Sequence, residues 1–259
     1  MFKTDNYKNK TVVITGGTKG IGLGITKAYL SLSAKVIILA RNKPKKQIQV
    51  KGNKALFYQC NVRDNANVEE VINEVFKANK CIDVLINNAG GAPLINSLDA
   101  SMNFNNAIID LNLNSSFAVS YYVAKKMIKK SSGCVITNIS SVTATRPTPG
   151  SAAYGAAKGG LVNLTKTLAV EWAPRIRVNS IITGYIETEN SLLHYGSKKD
   201  MKAVAKTIPM KRMGTPEDIA NACIFLSSAN SSWITGTAIE VHGGGESPTY
   251  LNSAKPKKS

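Results

Sequence analysis

Thr11-Val12-Val13-Ile14-Thr15-Gly16-Gly17-Thr18-Lys19-Gly20-Ile21-Gly22 is the stretch on which the reading of the fold turns. Its first five residues are mostly β-branched, the composition of a buried strand. The glycines that follow permit a sharp turn and close approach of the backbone to a ligand. Ile21, Ile25, Ala28 and Tyr29 then recur at helical spacing. A strand, a glycine turn and a helix in that order aim free N–H groups and the positive end of a helix dipole at an anion. Such a turn suits the pyrophosphate of a dinucleotide, although Gly16-x-x-x-Gly20-x-Gly22 departs from the commoner Gly-x-Gly-x-x-Gly spacing.

Outward from this turn, short apolar runs alternate with helical patterns. Val36–Leu39, Ala55–Tyr58, Asp83–Ile86, Cys134–Thr137, Arg177–Ile181 and Ala238–Val241 read as further strands. Val68 to Phe76 reads as a helix, and Thr215-Pro216-Glu217-Asp218 as a helix start with an N-cap, a first-turn proline and dipole-matched acids. Continuous apolar runs joined through helices imply a parallel sheet covered on both faces. The expected fold is α/β, a doubly wound parallel sheet of about seven strands, with its ligand crevice beyond the carboxyl ends of the strands. The chain of 259 residues suits one such domain, placed at residues 1–250, and residues 251–259 read as a basic flexible tail.

The formal net charge of +17 is mostly lysine spread along the chain. Arginine is scarce and aromatics do not interleave with the basic residues, so a solvated lysine-rich surface is a plainer reading than nucleic-acid binding. A positive surface would also attract phosphate-bearing substrates, such as acyl-CoA, or an acidic carrier protein. No stretch of roughly 18 apolar residues argues for a membrane span, and no apolar leader opens the chain. Cys60, Cys81, Cys134 and Cys223 are scattered and read as small hydrophobes in a reducing cytosol, so the expected location is cytoplasmic. With His194 and His242 as the sole histidines and no Cys-x-x-Cys, no metal site is expected.

Chemistry enters with Tyr154 and Lys158, whose i, i+4 spacing puts a phenol and an ammonium on one helical face. A carbonyl receiving hydride needs a proton donor, and a free tyrosine, with a pKa of roughly 10, is a poor one near neutrality. A neighbouring ammonium would lower that value. Tyr154 is therefore the candidate general acid or base, with Lys158 as its activator. Ser141, thirteen residues upstream and just past the fifth strand, can orient the substrate oxygen. Ser140 is its alternative, and either serine can instead be a turn former. Alone, Tyr-x-x-x-Lys is a weak signal, since such pairs are common on solvated helices.

In this order, Thr15-Gly16-Gly17-Thr18-Lys19-Gly20-Ile21-Gly22, Asn87-Asn88-Ala89-Gly90, Asn112, Ser140-Ser141 and Tyr154-Gly-Ala-Ala-Lys158 resemble the short-chain dehydrogenase/reductase family, from about Lys10 to Gly245. The likeness is nearest to bacterial carbonyl or 3-oxoacyl reductases. It implies a Rossmann-type fold and a catalytic set of Asn112, Ser141, Tyr154 and Lys158, with Asn112 holding a water in the proton path. It implies cofactor contacts at Gly16, Thr18, Lys19, Gly20, Ile21, Gly22, Asn61, Val62, Asn88, Ala89, Gly90, Tyr154, Lys158, Gly184 and Ile186. Lys158 would also reach the nicotinamide ribose. Asn112 also reads as a buried structural amide, and Asn114 is a neighbour that competes for the assignment.

The second strand ends Leu39-Ala40-Arg41-Asn42, without the acid that holds a ribose 2′-hydroxyl in NAD sites. Arg41 can fork onto a 2′-phosphate and Lys19 can reach the same group, so NADP(H) is favoured over NAD(H). Basic residues at these places go with NADP preference in the family. Relatives often carry Asp where Asn61 stands, Pro-Gly where this chain has Thr183-Gly184, and Asp before the final glycines where it has His242. His242 reads as structural.

Residues 185–213 are too long for a simple connector and read as a mobile substrate lid, with Leu192, Leu193 and Tyr195 facing a pocket. Lys198, Lys199, Lys202, Lys206, Lys211 and Arg212 make it basic, as a solvated face or as a dock for a phosphopantetheine-bearing substrate. Phe117, Leu161, Leu164 and Leu168 read as outward apolar residues on helices that pair between subunits in this family, implying a homodimer or homotetramer. The leading function is NADP(H)-dependent reduction of a ketone, such as a 3-oxoacyl thioester on acyl carrier protein or CoA. The same class includes dehydrogenation of a 3-hydroxyacyl-CoA or a sterol-like alcohol. A cofactor-binding regulator and a polyanion-binding module are the competing classes.

Overall fold

The computed structural model describes residues 7–129 and 133–246; the basic tail lies outside the described residues. The strands are β1 (Thr11–Thr15), β2 (Lys35–Ala40), β3 (Gln49–Val50), β4 (Asn53–Lys54), β5 (Leu56–Gln59), β6 (Val84–Asn87), β7 (Cys134–Ser141), β8 (Ile176–Thr183) and β9 (Ala238–Val241). Seven of them form one sheet in the order β5-β2-β1-β6-β7-β8-β9, and every pairing in it is parallel. β3 and β4 form a small antiparallel ribbon that the apolar pattern does not announce.

The helices are α1 (Gly20–Ser31), α2 (Asn65–Asn79), α3 (Met102–Ile109), α4 (Ser115–Met127), α5 (Ala152–Trp172), α6 (Ser191–Tyr195), α7 (Lys198–Thr207) and α8 (Pro216–Ser227). Successive strand residues feed opposite layers, as the period of two requires. Val13, Leu85, Ile136 and Val178 pack with Val68 and Ile72 of α2 and Val123 of α4. Val12, Ile14, Val36 and Ile86 pack with Ile25 and Tyr29 of α1 and Ile219 of α8. Each such fully buried side chain contributes about 1.5–3 kcal/mol by leaving water. α8 begins as its sequence indicates. Thr215 and Asp218 form a reciprocal capping box after which Pro216 opens the first turn. Arg212 forks onto Asp218 at 2.7 and 2.9 Å and holds that carboxyl well below its ordinary range.

β7 and β8 run past their apolar stretches to Ser141 and Thr183. A layer of buried polar side chains sustains them there. Asn87 Nδ2 donates to Asn138 Oδ1 at 2.8 Å, and Asn138 Nδ2 donates to Thr165 Oγ1 of α5 at 2.9 Å. Ser180 Oγ donates to the Asn138 carbonyl at 3.0 Å, and Thr183 Oγ1 to that of Ser140 at 2.9 Å. Polar groups that find partners across the sheet escape the desolvation penalty that would end a strand. The polar layer carries the sheet up to the site.

The outward faces of α4 and α5 differ from expectation. Leu161 and Leu168 are buried in the domain, and Leu164 packs against its core. Phe117 is exposed as foreseen, and it is joined by Tyr121 on α4 and Val170 on α5. The periodicity of α5 marks an apolar face without saying which neighbour covers it.

Candidate active site

The glycine turn is held by Asn88, from the loop after β6. Its Nδ2 donates to the Thr15 carbonyl at 3.0 Å and to that of Gly16 at 3.3 Å. Thr15 Oγ1 in return accepts the Asn88 and Ala89 N–H groups, each at 3.0 Å. A Cβ on Gly22 would fall 2.3 Å from the Gly16 oxygen and 2.5 Å from Asn88 Nδ2, so only glycine fits. Lys19 stands at the α1 N-cap without a side-chain cap bond, and no acid lies in the first helical turn. The turn thus aims a positive helix end outward beside Thr18 and Ile21, capped only from afar, by Glu189 on the Gly20 N–H. A dinucleotide phosphate fits this cradle.

The end of β2 is tied to the turn through Gly16 N–H donating to the Leu39 carbonyl at 2.8 Å. Arg41 follows β2 directly, and it and Lys19 are both exposed. The Arg41 position is therefore next to the glycine turn. Asn61 Oδ1 accepts the Arg63 N–H at 3.3 Å, while Val62 is buried against α2.

At the carboxyl edge of the sheet, Ser141 closes β7 directly opposite Thr183 of β8. Ser140 is turned inward, its hydroxyl donating to the Lys158 carbonyl at 3.1 Å, so Ser141 is the serine that faces the site. Tyr154, in the first turn of α5, lies close enough to the Ser141 hydroxyl for it to lower the phenol's pKa. Lys158 lies one turn on, its Nζ 5.6 Å from the centre of the Tyr154 ring and donating to the Ile139 carbonyl at 2.8 Å. The structure therefore brings Ser141, Tyr154 and Lys158 together.

Their ionisation differs from the sequence reading. Burial pushes the Tyr154 phenol above its ordinary value, opposed by the Ser141 hydroxyl, and Lys158 does not offset that rise. The Lys158 ammonium is itself buried and pushed down to about 8. Two desolvated groups, rather than one activated by the other, make up this arrangement.

Asn112 is fully buried in a five-residue π-helical turn, Asp110–Asn114, that joins α3 to α4. Its Oδ1 accepts the Gly91 N–H at 2.8 Å, and its Nδ2 donates to the carbonyls of Gly91 at 3.0 Å and Ile108 at 2.9 Å. The amide staples the Gly90–Gly91 loop to this turn. A Cβ on Gly90 would sit 2.6 Å from Asn112 Oδ1 and 3.2 Å from Lys158 Nζ, which places all three at one point. Asn114 points elsewhere, onto Asp110 at 2.7 Å. The π turn itself has no signature in the residue pattern.

Gly184 is a packing position, since a Cβ there would lie 2.6 Å from His242 Cβ. His242 pairs with Glu240 at 2.8 Å. Ile186 is buried and bridges to Gly214, anchoring the start of the lid. Within the lid, Leu192 and Leu193 are exposed, and Tyr195 packs edge-on against Tyr185 with centroids 5.9 Å apart. Tyr195 is pushed up to about 12, mainly by burial and then by Tyr185 and Tyr154. Arg146, not singled out from sequence, forks onto Glu246 and donates to Tyr185 Oη at 3.0 Å. A cavity of about 330 Å³ lies between the end of the lid and β9, lined by Tyr185, Met210, Arg212 and His242; Ser141, Tyr154 and Lys158 do not line it. Cys60, Cys134 and Cys223 are buried and Cys81 is half-buried, none of them in a disulfide.

The sheet order, the glycine turn and the Ser–Tyr–Lys convergence define a class of oxidoreductase, and the chain belongs to the short-chain dehydrogenase/reductase family. Residues 16–246 match the family described as enoyl-(acyl carrier protein) reductase. The chain is 36% identical over 242 residues to the 3-oxoacyl-[acyl-carrier-protein] reductase FabG of Chlamydia pneumoniae, covering 91% of this chain and 96% of that one. It superposes on the ligand-free aldohexose dehydrogenase of Thermoplasma acidophilum with a TM-score of 0.86 at 32% identity, covering 98% of each chain. A short-chain dehydrogenase from Bacillus anthracis superposes with a TM-score of 0.83 at 34% identity, covering 94% of this chain and 99% of that one. Among the described residues, no helix is long and apolar enough to cross a membrane.

Proposed function

We propose that this chain is an NADP(H)-dependent reductase of ketones, with 3-oxoacyl thioesters as its substrate class. The observation that carries this reading is the Ser141–Tyr154–Lys158 cluster at the carboxyl edge of the sheet, beside a glycine turn that opens a helix with no acid in its first turn. The likeness to a 3-oxoacyl-[acyl-carrier-protein] reductase supports the substrate class.

A bound nicotinamide supplies the hydride. Gly16, Gly20 and Gly22 would hold its pyrophosphate on α1, and Lys19 and Arg41 would receive the 2′-phosphate. Ser141 donates a hydrogen bond to the substrate oxygen and fixes it beside Tyr154. Burial keeps the Tyr154 phenol protonated at neutral pH, so it carries the proton that the carbonyl oxygen takes up. Lys158, its Nζ 5.6 Å from the centre of the Tyr154 ring, would reach the nicotinamide ribose. Asn112 fixes the loop next to Lys158. Residues 185–213 close over the substrate, and their lysines favour an acidic or phosphate-bearing carrier. The exposed Phe117, Tyr121 and Val170 suit pairing of α4 and α5 with a second copy.

The test is loss of NADPH absorbance with purified protein and 3-oxoacyl thioesters. Wild-type protein turns over, and Tyr154→Phe lowers kcat by about 10²–10⁴-fold while NADPH still binds. Full activity in Tyr154→Phe would refute the assigned acid.

A further inference from the structure

The N-terminal end of α1 has an occupant. Glu189, in the lid, accepts the Gly20 N–H on its Oε1 at 2.9 Å. A Cβ on Gly20 would lie 3.5 Å from Thr188 Cγ2, so the chain at residues 188–189 runs across the first turn of the helix. The α1 N-cap residue makes no side-chain cap bond and the first turn holds no acid, so this carboxylate from more than 160 residues away serves as the cap. The contact is built from both ends. Ile186 bridges to Gly214, and the Glu187 N–H donates to the Gly214 carbonyl at 2.8 Å, which fixes the segment just before it. After it, the buried Ser191 Oγ accepts the Thr188 N–H at 2.7 Å, so the tight turn 188–191 presents Glu189 to the helix.

We propose that Glu189 is an internal competitor for the dinucleotide pyrophosphate and sets the affinity of the cofactor site. This rests on the reading that the α1 terminus receives the cofactor. Two anions cannot share one set of helix N–H groups, so the cofactor has to displace the carboxylate. Displacing Glu189 moves the 188–191 turn, from which α6 and the lid proceed. Cofactor entry and lid position are coupled through one side chain.

Nucleotide binding to the full chain tests this, followed by NADPH fluorescence for wild type, Glu189→Gln, Glu189→Ala and Glu187→Gln. Glu187 is exposed, and replacing it removes the same charge two residues away. A carboxylate at a helix N-terminus is worth enough that its removal tightens NADPH binding about 3- to 20-fold in both Glu189 variants. Glu187→Gln stays within about twofold of wild type. Hydrogen exchange without nucleotide gives an independent readout: the Gly20 amide exchanges faster in Glu189→Ala, and adding NADPH restores its protection. If wild type binds NADPH and the Glu189 variants bind it no tighter, the competitor role is overturned while the cofactor reading stands. If no variant and no wild-type protein binds NADPH or NADH, both fall. Equal tightening by Glu187→Gln would reduce the effect to net charge and overturn the proposal.

Discussion

A methyl group on Gly22 would sit 2.3 Å from a backbone oxygen, whereas α7 in the lid buries none of its residues. At Gly22 the glycine turn is fixed by contacts that leave no room for a side chain. Asn88 and Thr15 close it from two sides, and strands β1 and β6 beneath it are fully buried. The lid is anchored at its base by Ile186 and Gly214, and beyond that its helices show lysines and exposed leucines to solvent. The turn is determined by its own packing. Helix α7 has no buried side chain to fix it in the same way.

The contrast breaks first if the turn tolerates a side chain. Gly22→Ala forces an overpacked contact with backbone, at a cost of about 1–3 kcal/mol or more. NADPH affinity falls at least tenfold, read by fluorescence titration. Near-normal affinity and melting temperature in this variant would show that the turn relaxes as readily as the lid.

Lys158 gives the next effect. Its folded-state value of about 8 lies below the ordinary 10.5, so between those values the unfolded chain binds more protons and stability rises with pH. The penalty for holding this ammonium is fully present below pH 8 and fades as pH climbs through the window up to 10.5. Lys158→Met therefore loses turnover yet gains stability near neutrality, by roughly 1–3 kcal/mol after its bond to Ile139 is lost. Urea unfolding at neutral pH and near pH 10 shows this gain shrinking; a less stable Lys158→Met at neutral pH would count against the desolvated cation.

A smaller effect comes from Arg41, exposed at the end of β2. Arg41→Asp weakens NADPH about 10- to 100-fold relative to NADH, as expected for loss of a phosphate fork and gain of a ribose acceptor. Unchanged NADPH affinity would remove Arg41 from the site. Smallest on the fold itself is charge reversal in α7. Lys198→Glu with Lys202→Glu changes stability by less than about 0.5 kcal/mol, as for other exposed sites. The same pair raises KM for an acyl group on an acidic carrier and leaves KM for a small free ketone alone. Equal KM changes for both would assign these lysines no part in carrier docking.

The same contrast explains what could be read beforehand. Gly16, Gly20 and Gly22, the β-branched Thr11–Thr15 and the Thr215–Asp218 box announce themselves because local sterics demand those residues. Ser141, Tyr154 and Lys158 were legible through spacing and family likeness, and the structure brings them together. The ends of β7 and β8 were not, because Asn138, Ser140 and Thr183 are polar and become strand-compatible through partners on other elements. Leu161 and Leu168 were placed on the wrong side of α5, since helical periodicity marks an apolar stripe without naming what covers it. The depression of Lys158, Glu189 on α1 and Arg146 on Tyr185 depend on distant segments meeting, which no local pattern encodes.

The π-helical turn at Asp110–Asn114 has one more implication, for the winding of the chain. Such a turn accommodates one residue more than regular helix allows. Deleting Leu113 would let α3 and α4 rewind as a single uninterrupted rod. Asn112 would then be carried about 100° around the axis, away from Gly91. A protein shortened by that single residue would keep its outer shape and lose the peg on which the floor of its reaction chamber hangs.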